Sequence, residues 1–286
     1  MQNEKEVIAT SDKSAFINKL AQSGLRQIET TAFVHPKAVP QLSDAYEVIK
    51  GLKQYEGLVY SALVPNLKGL ERAIESGIKR IAVFTAASET FTKKNINMTI
   101  DESLSTFSVV IKEALKNGLS VRGYISTCFV CPYEGEILRE KVLNVTQSLF
   151  DMGVDEVSLG DTIGAASPKD VCEVVVPILK IIPKEKIALH FHDTYGTALA
   201  NVVSGLELGI TTFDASCGGL GGCPYAPGAS GNLSTEDLIY LLNKMGIESG
   251  IDLNLLIKAS LFMEKILNRK LPSKQLQRLH GKEKIC

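Results

Sequence analysis

Residues 186–219 read KIALHFHDTYGTALANVVSGLELGITTFDASCGG. The stretch opens on a short apolar run, turns at 193–196, continues with apolar residues at helical spacing, stops at Gly209 and enters a second apolar run. That is a strand, a helix closed by glycine, and another strand; two strands joined through a helix lie parallel in one sheet. The unit repeats along the chain. Candidate strands fall at 25–33, 57–64, 79–87, 119–127, 154–162, 186–194 and 211–219, with helical stretches such as LKGLERAIESG and SPKDVCEVVVPILKII between them. This α/β rhythm predicts a TIM-type (β/α)8 barrel. No linker or low-complexity tract divides residues 1–286, so one domain is expected, with a helical C-terminal extension over about 235–286.

The strand count stops at seven, whereas a closed barrel of this type has eight. The first recognisable element is a helix, SDKSAFINKLAQSG (11–24), with a serine or aspartate as its expected cap and a glycine at its end. A first strand is therefore expected to be missing in front of Met1.

Composition narrows the function classes. Hydrophobic residues make up 45% of the chain, enough for one large core, and 31 Lys+Arg against 32 Asp+Glu leave a net charge of -1. No electrostatic pull toward nucleic acid or anionic membrane is written into that balance. The longest apolar stretch, VCEVVVPILKIIP (171–183), is broken by Glu173, Lys180 and two prolines, and MQNEKEVIATSDK has no apolar run of the signal-peptide kind. A soluble, cytoplasmic chain is expected, or a mitochondrial-matrix one in a eukaryote. Six irregularly spaced cysteines do not form a disulfide framework, and the C-x-x-C pair Cys128 and Cys131 reads as structural.

In such a barrel the polar residues at the C-terminal ends of the strands line the active site. Glu29, Arg122, Ser158, Asp161, His190, His192 and Cys217 all fall on or at the ends of the proposed strands. His190 and His192 are two apart, so both point to one face. Two convergent imidazoles suit a divalent metal, or form a hydrogen-bonded core pair, and H-x-H alone does not choose. Downstream, GGLGGCPYAPGASGN (218–232) is crowded with glycine. That density indicates positive φ angles or close backbone approach to a ligand, or else a surface loop, and the segment carries Cys223 and Asn232.

The segments IETTAFVHPKAVPQLSD (28–44), ASETFTKKNIN (87–97), EVSLGDTIGAASP (156–168), HFHDTYGTALAN (190–201) and GGLGGCPYAPGASGNLSTED (218–237) resemble the 3-hydroxy-3-methylglutaryl-CoA lyase family. That family sits among the metal-dependent lyase, aldolase and synthase barrels called DRE-TIM. The resemblance runs from residue 2 to about residue 270, and its most specific part is the glycine-rich cysteine segment, which argues against a related aldolase or synthase. It implies that His190, His192 and Asn232 bind Mg²⁺ or Mn²⁺ and that Cys223, Asp161 and Glu29 handle protons. It further implies that Gln2, Asn95, Arg122, Tyr124 and Ser158 meet an acyl-CoA thioester. Retro-Claisen cleavage to acetoacetate and acetyl-CoA, and a homodimer, are implied as well. Bland alternatives stand beside these roles: Arg122 in a salt bridge to Glu29 or Asp161, and Lys93 and Lys94 as a solvated face. The family's first strand ends in Arg-Asp-Gly-Leu directly before Gln-Asn-Glu-Lys, whereas the sequence here opens MQNEK. The arginine and the aspartate, a fourth metal ligand, are thus expected to be absent. Two readings follow: a lyase whose written sequence lacks its first strand, or a degenerate barrel that binds metal or acyl-CoA without turnover.

Overall fold

The computed structural model of the chain describes every residue except 1, 3, 5, 38, 222–230 and 284–286. Seven parallel strands form one sheet in the order β1 (Gln27–Ala32), β2 (Val59–Leu63), β3 (Arg80–Ala86), β4 (Ser120–Ser126), β7 (Glu156–Asp161), β8 (Ile187–Phe191) and β9 (Thr212–Asp214). Between β4 and β7 the chain makes a two-residue antiparallel ladder, β5 (Val130–Cys131) against β6 (Gly135–Glu136), which the strand pattern did not foretell. Each sheet strand pairs with its neighbour in sequence, as right-handed helical crossovers require. The curled sheet with its ring of helices is the TIM-barrel arrangement. Among the described residues the outer edges of β1 and β9 have no strand partner.

The helices form where sequence and burial agree. Helix Ile100–Lys116 starts from a capping box, Thr99 with Glu102, and buries Phe107, Val110, Ile111 and Ala114 along one stripe. Helix Pro168–Leu179 starts from a second box, Ser167 with Asp170, with Pro168 in its first turn. The N-terminal helix is Thr10–Ala21, and its cap corrects the expectation: Ala9 holds the cap position with no side-chain bond. Thr10, the nearest hydroxyl, instead donates to Asp44 at 2.6 Å, drawn there by the ion pair of Lys13 with Asp44 at 2.8 Å. The C-terminal extension is helical, at Thr235–Lys244, Leu253–Leu267 and Lys274–Glu283. Helix Leu253–Leu267 packs on helix Thr10–Ala21, so the two ends of the chain meet.

Strand alternation divides the sheet into two faces. On β7 and β8, Val157, Leu159, Leu189 and Phe191 are buried in the hydrophobic core that the surrounding helices share. The residues between them, Glu156, Ser158, Ala188 and His190, belong to the opposite, inward face. The last strand is shorter than its sequence suggests, ending at Asp214, after which Cys217–Gly219 wind into a 3-10 turn. Gly218 and Gly219 sit at φ 66° and 72°, a conformation no strand accommodates.

Candidate active site

Register brings the inward residues into contact. Arg122 on β4 lies opposite Glu156 on β7, Tyr124 opposite Ser158, and His190 on β8 opposite Asp214 on β9. The Arg122 guanidinium binds two carboxylates, Nε to Glu156 at 2.6 Å and Nη2 to Asp214 at 2.8 Å, and Nη1 donates to the Tyr124 hydroxyl at 3.3 Å. Its salt bridges are thus to Glu156 and Asp214, not to Glu29 or Asp161. Tyr124 in turn donates to Glu29 Oε2 at 2.7 Å. Ser158 is buried and donates to Asp214 Oδ2 at 2.7 Å.

This network sets the charges. Burial works against ionisation of Asp214, but Arg122, with His190 and the Ser158 hydroxyl, outweighs it and holds the carboxyl far below its ordinary range. Glu29 goes the other way. Although the residue as a whole is exposed, desolvation of its carboxyl raises its pKa, with Tyr124 and Arg122 pulling in the opposite sense. The two carboxylates of one interior are therefore driven apart, one fixed as an anion and one poised to take a proton.

Above this row stand the histidines. Their ring centroids are 5.2 Å apart, and His190 Nδ1 lies 3.6 Å from Asp214 Oδ2. His192 is buried, and its Nδ1 has no hydrogen-bond partner. Burial, with His190 beside it, pushes its pKa down to about 3, so it is a neutral imidazole with a lone pair to offer. Asn232 forms an isolated antiparallel bridge with His192. The Asn232 amide donates through Nδ2 to the Leu220 carbonyl at 2.9 Å, which directs Oδ1, the acceptor atom of the amide, away from that carbonyl. Gly221 permits that orientation, since a Cβ there would stand 2.6 Å from Asn232 Nδ2. Two imidazoles and an amide oxygen are a donor set that fits a divalent cation with open positions. Among the described residues no group of three or more His, Cys, Asp or Glu side chains could hold a metal.

Not every candidate joins this constellation. Asp161 is fully buried, opposite Phe191 rather than His190, and its two oxygens accept from the backbone of Ala165 and Ala166, both at 3.0 Å. Burial raises its pKa to about 6 against these hydrogen bonds. The carboxylate thus orders the turn after β7. Asn95 is exposed on helix Glu89–Ile96, where Lys94 stacks over Tyr133 at 3.9 Å, and Gln2 is exposed in the N-terminal segment. Cys223 lies outside the described residues. Cys128 and Cys131 are buried free thiols, hydrogen-bonded to Ile125 and Ser88. Asp214 and Glu156 are the residues that sequence reading missed. Their signal was present: carboxylates on inward positions of strands next to an inward arginine.

The comparisons with known proteins agree with this geometry. The HMGL-like family model matches residues 1–263. The chain belongs to the HMGL-like family. Within it, the chain is 50% identical over 277 residues to the hydroxymethylglutaryl-CoA lyase of Bacillus subtilis, covering 97% of this chain and 93% of that one. The crystal structure of the B. subtilis HMG-CoA lyase superposes with a TM-score of 0.95, covering 98% and 94% of the two chains. An HMG-CoA lyase from Acinetobacter baumannii, solved in complex with coenzyme A and 3-methylmalate, has a TM-score of 0.92 at 38% identity, covering 96% and 90%. As an HMGL-like barrel the chain presents His190 and Asp214 near the C-terminal ends of β8 and β9, where such barrels do their chemistry.

Proposed function

We propose that the chain cleaves 3-hydroxy-3-methylglutaryl-CoA to acetoacetate and acetyl-CoA. The observation that carries this reading is the convergence of His190, neutral His192 and the oriented Asn232 amide above a carboxylate, Glu29, whose proton affinity is raised. The family is divalent-metal dependent in general, and His190, His192 and Asn232 are the side chains that would hold the ion. When bound, a divalent cation supplies Lewis-acid polarisation of substrate oxygens; whether it is Mg²⁺ or Mn²⁺ belongs to the same proposal.

The chain's own residues do the rest. The substrate's 3-hydroxyl gives its proton to a base, the bond between C2 and C3 breaks, C3 becomes the ketone of acetoacetate, and the electron pair moves onto the thioester enolate, which takes up a proton. Glu29 is the base, held by Tyr124, which donates to its Oε2 at 2.7 Å. Arg122, tied to Glu156 and Asp214, acts by fixing Tyr124 and Asp214, and Ser158 acts through Asp214. Asp161 positions the turn after β7. Cys223, from the glycine-rich segment, is assigned to protonate the enolate, and Gln2 and Asn95 to contact the acyl-CoA. Homodimeric assembly and a cytoplasmic or mitochondrial-matrix location complete the proposal on the resemblance alone; no described helix is long and apolar enough to cross a membrane.

The test is acetoacetate release from 3-hydroxy-3-methylglutaryl-CoA after chelator treatment, with and without added Mg²⁺ or Mn²⁺. Turnover that disappears in chelator and returns with the cation is the expected result. Cation or acyl-CoA binding without turnover would establish the binding-only barrel instead, and full activity in strong chelator would remove the metal assignment.

A further inference from the structure

Behind the site lies a buried carboxylate that the reaction does not use. Glu236 opens helix Thr235–Lys244 and is fully buried, and among the described residues no cationic side chain pairs with it. A bare carboxylate in that environment needs hydrogen bonds on both oxygens. Oε2 accepts from the Gly218 N–H and from the Ser234 hydroxyl, both at 2.8 Å. Oε1 accepts from the Ser260 hydroxyl on helix Leu253–Leu267 and from the Cys217 thiol at 3.4 Å.

The placement of these donors matters more than their number. Cys217 and Gly218 are where the chain enters the glycine-rich segment, and Ser234 is where it leaves. One carboxylate therefore joins the two stems. The stems are also laced together by backbone, Ser216 N–H to the Leu233 carbonyl and Thr235 N–H to the Ser216 carbonyl, both at 2.9 Å. The 3-10 turn that contains Gly218 sets Leu220, whose N–H bonds the Cys217 carbonyl at 3.1 Å and whose own carbonyl receives Asn232 Nδ2. The connection from Glu236 to the amide of Asn232 is thus two hydrogen bonds and one tight turn.

We propose that Glu236 is the positioning residue for Asn232: by holding Gly218 it places the Leu220 carbonyl, and that carbonyl turns the Asn232 amide oxygen toward His190 and His192. The inference rests on the reading of those three side chains as cation ligands. Ser260 and Cys217 complete the acceptor shell of the carboxylate from the other side, so that it is spent on the stems rather than free to rotate.

The experiment uses Glu236→Gln in the full chain. Glutamine keeps the volume but removes the charge and leaves one acceptor oxygen where Gly218, Ser234, Ser260 and Cys217 all donate, so the charge-assisted bonds to the two stems weaken without opening a cavity. The readouts are Mn²⁺ affinity of the chelator-stripped protein by calorimetry and hydrogen exchange at the Gly218 and Ser216 amides. Outer partners of metal ligands contribute about 10–100-fold in affinity, so Kd for Mn²⁺ is expected to rise about tenfold or more, with faster exchange at both amides. A merely structural Glu236 would lower the melting temperature while leaving Kd within about twofold, and that result overturns the proposal. Should Glu236→Gln fail to fold, Ser234→Ala and Ser260→Ala separate the oxygens: the proposal expects weaker Mn²⁺ binding for the first, which touches Oε2, and unchanged binding for the second. Equal effects of the two would overturn it. If the parent chain binds no Mn²⁺, the ligand reading fails by itself. The Glu236 tie is then decided by exchange alone, upheld by lost protection at Gly218 under Glu236→Gln and overturned by unchanged protection.

Discussion

Replacing Gly221 by alanine adds a single methyl group directly against the Asn232 side chain. Gly221 has φ 94°, and its new Cβ would stand 2.6 Å from Asn232 Nδ2. Two costs follow, and they can be separated. A left-handed alanine costs roughly 1–2 kcal/mol wherever it occurs. The contact itself must open by about 1 Å to reach an ordinary separation. The atom in the way is the end of a flexible side chain, so the amide swings aside and gives up its 2.9 Å bond to the Leu220 carbonyl, worth about 1 kcal/mol. Gly77 provides the reference, because it also has positive φ, 82°, but a Cβ there meets nothing within 4 Å. Gly221→Ala should therefore be less stable than Gly77→Ala by about 1 kcal/mol, a difference of about 2–4 °C in Tm. The larger effect is on the ligand: with the amide displaced, calorimetric Mn²⁺ affinity should fall about tenfold or more in Gly221→Ala and stay unchanged in Gly77→Ala. Equal Tm values together with equal Mn²⁺ affinities would falsify the claim that Gly221 is glycine in order to seat Asn232.

Two further outcomes follow from the interior carboxylates. The Tyr124 hydroxyl lowers the pKa of Glu29 against the dominant effect of burial, so Tyr124→Phe should raise it further; if Glu29 must be ionised to act as base, the acid limb of the kcat/KM profile moves to higher pH, and an unmoved limb would exclude Glu29 as that base. Asp161 is raised in the folded state to about 6 from an ordinary 3.8, so its stabilising contribution is present below about pH 4 and is lost as pH rises toward 6. Two pK units correspond to about 3 kcal/mol, and the stability of the parent relative to Asp161→Asn should grow by about that much between pH 6.5 and 3.5. Urea unfolding of both proteins across that range checks it, and a pH-independent difference would show that Asp161 is not the buried, shifted acid described.

How much of this was legible in the chain differs from element to element. The parallel barrel was readable because each strand–helix unit carries its own local evidence: Ser167, Pro168 and Asp170 cap a helix, Gly209 ends one, and Val157 and Leu159 alternate with Glu156 and Ser158. The pair His190 and His192 was readable for the same reason, since a strand's period of two puts both on one face without any knowledge of its neighbours. What registers one strand against the next is tertiary. Only the pairing of β4 with β7 and of β8 with β9 shows that Arg122 is divided between Glu156 and Asp214, and that Asp214 stands opposite His190. Asp161 was readable as a carboxylate that ends a barrel strand, but side-chain direction at a strand end depends on the turn that follows, and only the structure shows that the Ala165 and Ala166 amides donate to its two oxygens. The same holds for Glu236. Its sequence context is an ordinary helix start, and nothing local announces that Gly218, Ser234 and Ser260 converge on it. Sequence thus determines whatever a single element's periodicity and caps can encode, whereas the charge state and partners of a side chain depend on distant segments brought within about 3 Å, which packing alone decides.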